Sequence, residues 1–173
     1  MLATITDEHR AWGVQMLRNS PFPKEPQRLS GFIAEAALID YLRDELLLHA
    51  DHGPKFEHDI IVEEIYKAEV KTSCGTSRYN RDTWVAWAPG YRPGNQHLLI
   101  CCYLWLAHMS TDGVLACDQV IIRGWMHDER VPQFPTLRKG EPCPHTRGRV
   151  MEVDTPQIPD RELIDIRMLG ALL

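Results

Sequence analysis

Residues 98–106, Leu98-Leu99-Ile100-Cys101-Cys102-Tyr103-Leu104-Trp105-Leu106, contain no charged side chain and no alternation of polar with apolar positions. A short run of this kind reads as a strand buried on both faces rather than half-solvated. It therefore belongs near the centre of a sheet, with the rest of the chain supplying a covering layer on each side. At 173 residues, 44% apolar and 25% charged, the chain has the ordinary composition of one globular domain spanning 1–173.

Two segments shortly before this strand supply partners. His58-Asp59-Ile60-Ile61-Val62 and Lys67-Ala68-Glu69-Val70-Lys71-Thr72-Ser73 are rich in β-branched residues. In the second, Lys67, Glu69, Lys71 and Ser73 alternate with Ala68, Val70 and Thr72, which is the period of a strand and puts Glu69 and Lys71 on one face. A hairpin turning at Glu63 to Ile65 sets Asp59 opposite Glu69, with Cβ atoms about 4.5–5.5 Å apart. Facing carboxylates repel unless a proton or a cation neutralises them. A hard divalent cation with oxygen ligands is the simplest remedy. The competing account is a solvated strand face carrying an i, i+2 pair of charges.

Upstream, residues 7–18 carry acids early and Arg18 late, with Trp12, Met16 and Leu17 at helical spacing, which predicts a first helix. A longer helix is predicted from Ser30 or Gly31 to about His49, with Phe32, Ala36, Ile39, Leu42 and Leu46 on one face. Glu35 falls inside that apolar stripe, while Asp40, Asp44 and Glu45 point away. A carboxylate there is costly unless paired or metal-bound; a stripe-edge glutamate that reaches water is the alternative. Residues 50–57 with Gly53-Pro54 read as a turn, 74–81 as a flexible connection and 83–87 as a further strand. Asp112-Gly113 reads as a turn, residues 119–125 as a strand and 149–153 as a last strand. Asp160 is placed as the N-cap of a terminal helix, which would dock against the sheet or against a second copy of the chain in a homodimer.

Asp59, nine intervening residues and then Glu69-Val70-Lys71 resemble the motif of the PD-(D/E)XK nuclease superfamily. The order of a Glu35 helix, the motif strands, an apolar strand and Val120-Ile121-Ile122-Arg123-Gly124-Trp125 resembles its small phage-type members over most of the chain. The resemblance implies an α/β, restriction-endonuclease-like fold, a mixed twisted β-sheet flanked by α-helices. It implies DNA as partner and Mg2+ or Mn2+ as cofactor, held by Asp59, Glu69 and the Val70 carbonyl, with Glu35 completing the site or binding a second ion. Lys71 would orient and help deprotonate the attacking water or stabilise the phosphoryl oxygens, and the products would carry 5′-phosphates. Some superfamily members place a glutamine after the lysine, which makes Gln96 a candidate, but Ile100 stands where their tyrosine would follow.

Arg78, Tyr79, Arg81, Trp87, Tyr91 and Arg92 interleave positive charge with aromatic rings, a combination suited to phosphates and unpaired bases. Arg78, Arg81 and Arg92, with Gln96, are the candidate nucleic-acid contacts; core tryptophans beside a solvated loop explain the same stretch. Net charge is −5, which argues against coating nucleic acid by bulk charge. Nine acids between Glu35 and Glu64 face only Arg43 and Lys55, whereas Lys67 to Arg92 holds five bases against Glu69 and Asp82. That asymmetry suits an acidic pocket beside phosphate-contacting loops, and solvated surface charge accounts for it as well. Five cysteines without a CxxC point to reduced thiols rather than a disulfide framework. No run of about 18 apolar residues and no apolar N-terminal core occur, so no membrane association and a cytoplasmic location are expected. Two other readings remain: a non-catalytic nucleic-acid- or protein-binding module on the same fold, such as a phage-encoded inhibitor of a host system, and a zinc-stabilised domain using Cys143, His145 and Cys117.

Overall fold

The computed structural model describes residues 1–21, 26–54, 59–91, 94, 97–143 and 150–173. Helix α1 (Asp7–Asn19) starts at Thr6, whose hydroxyl accepts the His9 N–H at 3.3 Å while His9 Nδ1 accepts the Thr6 N–H at 3.0 Å. This is a capping box with histidine in the place usually held by glutamate. Helix α2 (Pro26–Asp44) opens on a proline, which has no N–H to leave unpaired in the first turn. The two helices approach closely at Gly13, where a Cβ would lie 2.6 Å from Ile33 Cγ1. Helix α2 begins before the expected Ser30 and ends well before His49. The chain reverses at Leu47, a left-handed leucine (φ 56°), and the Leu48 N–H returns to the Leu42 carbonyl at 3.0 Å. Glycine usually marks such a stop, and none stands here.

Strands β1 (Leu2–Thr4), β2 (Ala50–His52), β3 (Ile60–Val62), β4 (Tyr66–Gly75), β6 (Leu98–Trp105) and β7 (Gln119–His127) form a six-stranded sheet in the order β1-β7-β6-β4-β3-β2. Only β4 and β6 run parallel; the other neighbours are antiparallel. Strand β6 lies inside the sheet and is buried on both faces except at Trp105, as its apolar run demands. On one face Ala68, Val70, Leu98, Ile100 and Cys102 pack with Leu29, Ile33, Leu38 and Leu42 of α2. On the other, Leu99, Cys101 and Met126 pack with Ala86, Ile158 and Leu163. Those last residues belong to or adjoin a second, three-stranded sheet of β5 (Val85–Trp87), β9 (Thr155–Pro159) and β8 (Thr136–Leu137).

The architecture is thus mixed α/β, with a mixed sheet flanked by helices on one face. The second face differs from expectation, because a small sheet covers it rather than a terminal helix. The chain end breaks into two 3-10 turns, Asp160–Glu162 and Ile166–Met168, and the four-residue helix α4 (Leu169–Leu172). Asp160 caps no long helix: it is fully buried and bonded to Arg123 of β7. That partnership spans 37 residues of sequence, so no local pattern announces it. Residues 50–52 pair as β2 instead of turning, and β4 continues to Gly75 through part of the expected connection. Asp112 and Gly113 lie within helix α3 (Thr111–Leu115), where Ser110 caps the Gly113 N–H. Near 149–153 the described residues make only an isolated bridge, Pro142 with Val150; the last strand is β9. Strand β7 bulges opposite Cys101 and Cys102 at Gly124 (φ 145°), where a Cβ would meet the Ile164 carbonyl oxygen at 2.6 Å. Among the described residues no helix is long and apolar enough to cross a membrane.

Candidate functional site

Strands β3 and β4 pair with Ile60 opposite Ala68 and Val62 opposite Tyr66, the register expected from the sequence, but the pairing stops before Asp59 and Glu69. The turn between the strands carries Glu63 and Glu64 in left-handed backbone (φ 51° and 62°), at a cost of about 1–2 kcal/mol per residue. Glu63 offsets part of it by bonding His49 twice: its N–H donates to the His49 carbonyl and its carboxylate accepts the His49 N–H, both at 2.7 Å.

Strand β3 ends one residue short of Asp59, and this small irregularity shapes the site. The Asp59 N–H still donates to the Ala68 carbonyl at 3.2 Å, but its carboxylate takes the next ladder position and accepts the Val70 N–H at 2.7 Å. Backbone N–H groups of a strand lie in the sheet plane. The Asp59 carboxylate therefore sits at the sheet edge, between the two faces, and the Val70 carbonyl points to that same edge by strand alternation.

Glu69 and Lys71 rise from the face opposite α2, beside Leu99 and Cys101 of β6. The Lys71 ammonium donates to Glu69 Oε1. Glu35 belongs to α2, which packs on the other face. Burial, then the negative charges of Asp59 and Glu69, push its carboxyl well above the usual range, against the pull of Lys71. Asp59 is pushed up to about 6 by burial and by Glu69, against the Val70 N–H and Lys71. The structure thus brings Glu35, Asp59, Glu69 and Lys71 together as one electrostatic unit, with three carboxyls and one ammonium.

Two further polar groups on this face gave no signal in the sequence. Asp128 accepts hydrogen bonds from the Tyr91 hydroxyl and the Gly94 N–H; burial, then Asp128 and to a lesser degree Glu69, raise the Tyr91 phenol. Arg123 forks onto Asp160, reaches Ser73 Oγ at 3.3 Å and lies 5.8 and 5.7 Å from the ring centroids of Tyr79 and Trp84. Each set joins residues far apart in the chain.

The expected nucleic-acid contacts divide. Arg78 is exposed. Arg81 is tied down, its guanidinium donating to the Leu163 carbonyl at 2.7 Å. Arg92 and Gln96 lie outside the described residues, as do His58 and His145. Trp84 packs edge-on against Tyr79 and Tyr103 as part of an aromatic cluster. All five cysteines are free thiols, and Cys101 and Cys102 are buried.

For a hard cation the donor set at the hairpin has suitable chemistry: carboxylate oxygens of Asp59, Glu69 and Glu35 and the Val70 carbonyl, with negative charge in excess. Among the described residues no three His, Cys, Asp or Glu side chains already form a metal-sized cluster; Asp59 Oδ2 and Glu69 Oε1 are each engaged by a protein donor. In comparisons with known proteins, no family, no curated relative and no solved structure matches the chain.

Proposed function

We propose that the protein is a metal-dependent nuclease of PD-(D/E)XK type, with a restriction-endonuclease-like sheet, hydrolysing DNA phosphodiester bonds. The observation that carries this reading is the convergence of Glu35, Asp59, Glu69 and Lys71 with an uncompensated excess of carboxylate. Two carboxyls, Glu35 and Asp59, whose ionisation is opposed by burial and by the charge of Glu69 make a site that gains by taking up a cation. Asp59, Glu69, the Val70 carbonyl and Glu35 would hold Mg2+ or Mn2+, which when bound lowers the pKa of water and screens the phosphate.

The chain's own contribution centres on Lys71. Its ammonium, released from Glu69, reaches toward a water or a phosphoryl oxygen placed over the hairpin face. There its N–H donors orient the water or balance charge developing on the phosphate. Glu69 would have two calls on it, Lys71 and the cation, and sharing its carboxylate with a cation would loosen its hold on the lysine. Asp59, anchored to the Val70 N–H, keeps the edge position rigid.

Calorimetric titration with Mn2+ tests the reading: binding is expected in the wild type and is abolished by Asp59→Ala and by Glu69→Ala. Unchanged binding in both variants would remove the basis for the site. The Lys71–Glu69 ion pair favours a second reading, a non-catalytic nucleic-acid- or protein-binding module, because it lets the protein balance Glu69 with its own cation. A metal-dependent digestion panel separates the two, since a binding module cuts none of duplex, single-stranded or branched DNA.

A further inference from the structure

A groove of about 630 Å³ opens at the far end of β4 and β6 from the hairpin, lined by Leu2, Arg78, Tyr79, Trp105, Cys117 and Ile121 among others. It lies on the same sheet face as Glu69 and Lys71. Alternation puts Lys71, Ser73 and Gly75 on that face of β4, the parallel register sets Tyr103 beside Ser73 and Trp105 beside Gly75, and Ile121 is level with Tyr103 and paired with Leu2. Gly75 is about 13 Å along the strand from Lys71, a span of roughly two to four nucleotides of one strand.

The lining has a definite chemical character. Trp105 is 52% exposed and Leu2 54% exposed, whereas the other large apolar side chains described in this sheet are buried or half-buried. The Trp105 ring is held in place by its indole N–H, which donates to the Thr76 carbonyl at 3.0 Å. Tyr79 is braced edge-on against Trp84 with centroids 5.4 Å apart. Arg78 stands exposed on the rim. The acid in the lining, Asp118, accepts a hydrogen bond from Arg10 at 2.9 Å, whose guanidinium also pairs with Asp7 and bonds the Leu115 and Cys117 carbonyls. A held aromatic ring, a second aromatic and an exposed cation fit a ligand that is flat and apolar on its faces and anionic along its backbone.

We propose that this groove holds unpaired bases of the substrate strand a few nucleotides from the scissile phosphate, with Trp105 and Tyr79 stacking on bases and Arg78 meeting the phosphates. The inference rests on the nuclease reading and names its substrate: DNA with a single-stranded segment rather than a blunt duplex. Stacking on one aromatic side chain has a magnitude that predicts about a 10-fold or greater loss of single-strand affinity when it is removed.

The test uses the full chain and a fluorescently labelled single-stranded DNA oligonucleotide, with a blunt duplex of the same sequence as control, measured by anisotropy in chelator so that nothing is cut. Trp105→Ala is expected to lose about 10-fold or more in single-strand affinity with duplex affinity unchanged, and Trp105→Phe, which keeps a stacking ring, to retain most of it. In the wild type, the oligonucleotide should also protect Cys117 from alkylation, read by mass spectrometry. Binding by Trp105→Ala equal to wild type, or a wild type that prefers the blunt duplex, overturns the proposal. The two readings fail separately. Metal-dependent cutting that Trp105→Ala leaves unchanged on tailed and blunt substrates removes the groove but not the nuclease; Trp105-dependent binding with no cutting of any substrate removes the nuclease but leaves a single-strand binding groove.

Discussion

Two sets of charges meet the central sheet, one fully buried and one half-buried, and they are built on opposite principles. Arg123 and Asp160 form a closed pair, 5% and 0% exposed, with two guanidinium nitrogens on the two carboxylate oxygens and a third bonded to Ser73. Burial works against the charge of Arg123, and the hydrogen bonds and charge of Asp160 outweigh it. The hairpin cluster sets three carboxyls against Lys71, and Glu35 and Asp59 are left with raised proton affinity. Both sets pay for desolvation, but only the first recovers it within the protein. A closed pair serves the fold, whereas an open one keeps a demand for a proton or a cation that function can use.

The largest expected effect breaks the closed pair. Asp160→Ala leaves the Arg123 guanidinium buried without its partner, and loss of about 3–5 kcal/mol of stability is expected, read by denaturant unfolding. A loss under about 1 kcal/mol would mean that Ser73 and the aromatic rings suffice to hold Arg123, and the contrast would weaken.

Next comes the open cluster's cation. Lys71→Ala should lower single-turnover cleavage at saturating Mg2+ by roughly 100-fold or more, with DNA binding largely kept. A rate within a few fold of wild type would reduce Lys71 to the structural partner of Glu69, and the nuclease proposal would fall with it.

Glu35→Gln sharpens the comparison in the other direction. It keeps the shape of a side chain whose charge is opposed by burial and by two acids, so stability at neutral pH should hold or rise while cleavage falls. Asp160→Asn, the matching change in the closed pair, should destabilise. If Glu35→Gln cuts DNA as fast as wild type, Glu35 is a structural residue.

The smallest effect is a pH dependence measured in chelator. Burial and then Glu69 push the Asp59 carboxyl from an ordinary 3.8 up to about 6 in the folded chain. Between those values the folded state binds more protons than the unfolded state, so this group's contribution makes stability fall as pH rises from about 4 to about 6. Glu35 acts in the same direction. Comparing melting temperatures across that window, Asp59→Asn should flatten the slope; an unchanged slope would assign the effect to other carboxyls.

Much of the site's framework was legible because its determinants are local. Alternation in Lys67 to Ser73 and a hairpin closed by three residues specify which side chains share a face and which residues pair, since a one-residue slip would turn Ala68 and Val70 out of the core. The apolar run at 98–106 likewise placed β6 inside the sheet. The placement of Glu35 in an apolar stripe marked it as anomalous, but its neighbours were not visible from the helix itself. Tertiary structure alone decided the rest. It set β6 parallel to β4, laid β1 and β2 as short edges, stopped α2 at a left-handed leucine, covered the second face with β5, β8 and β9, and turned Asp160 from an apparent helix cap into the counter-ion of Arg123. The division follows from range. Periodicity and turn chemistry act over a few residues and are written in order along the chain, whereas a buried charge is satisfied by whichever partner the packed fold brings to it.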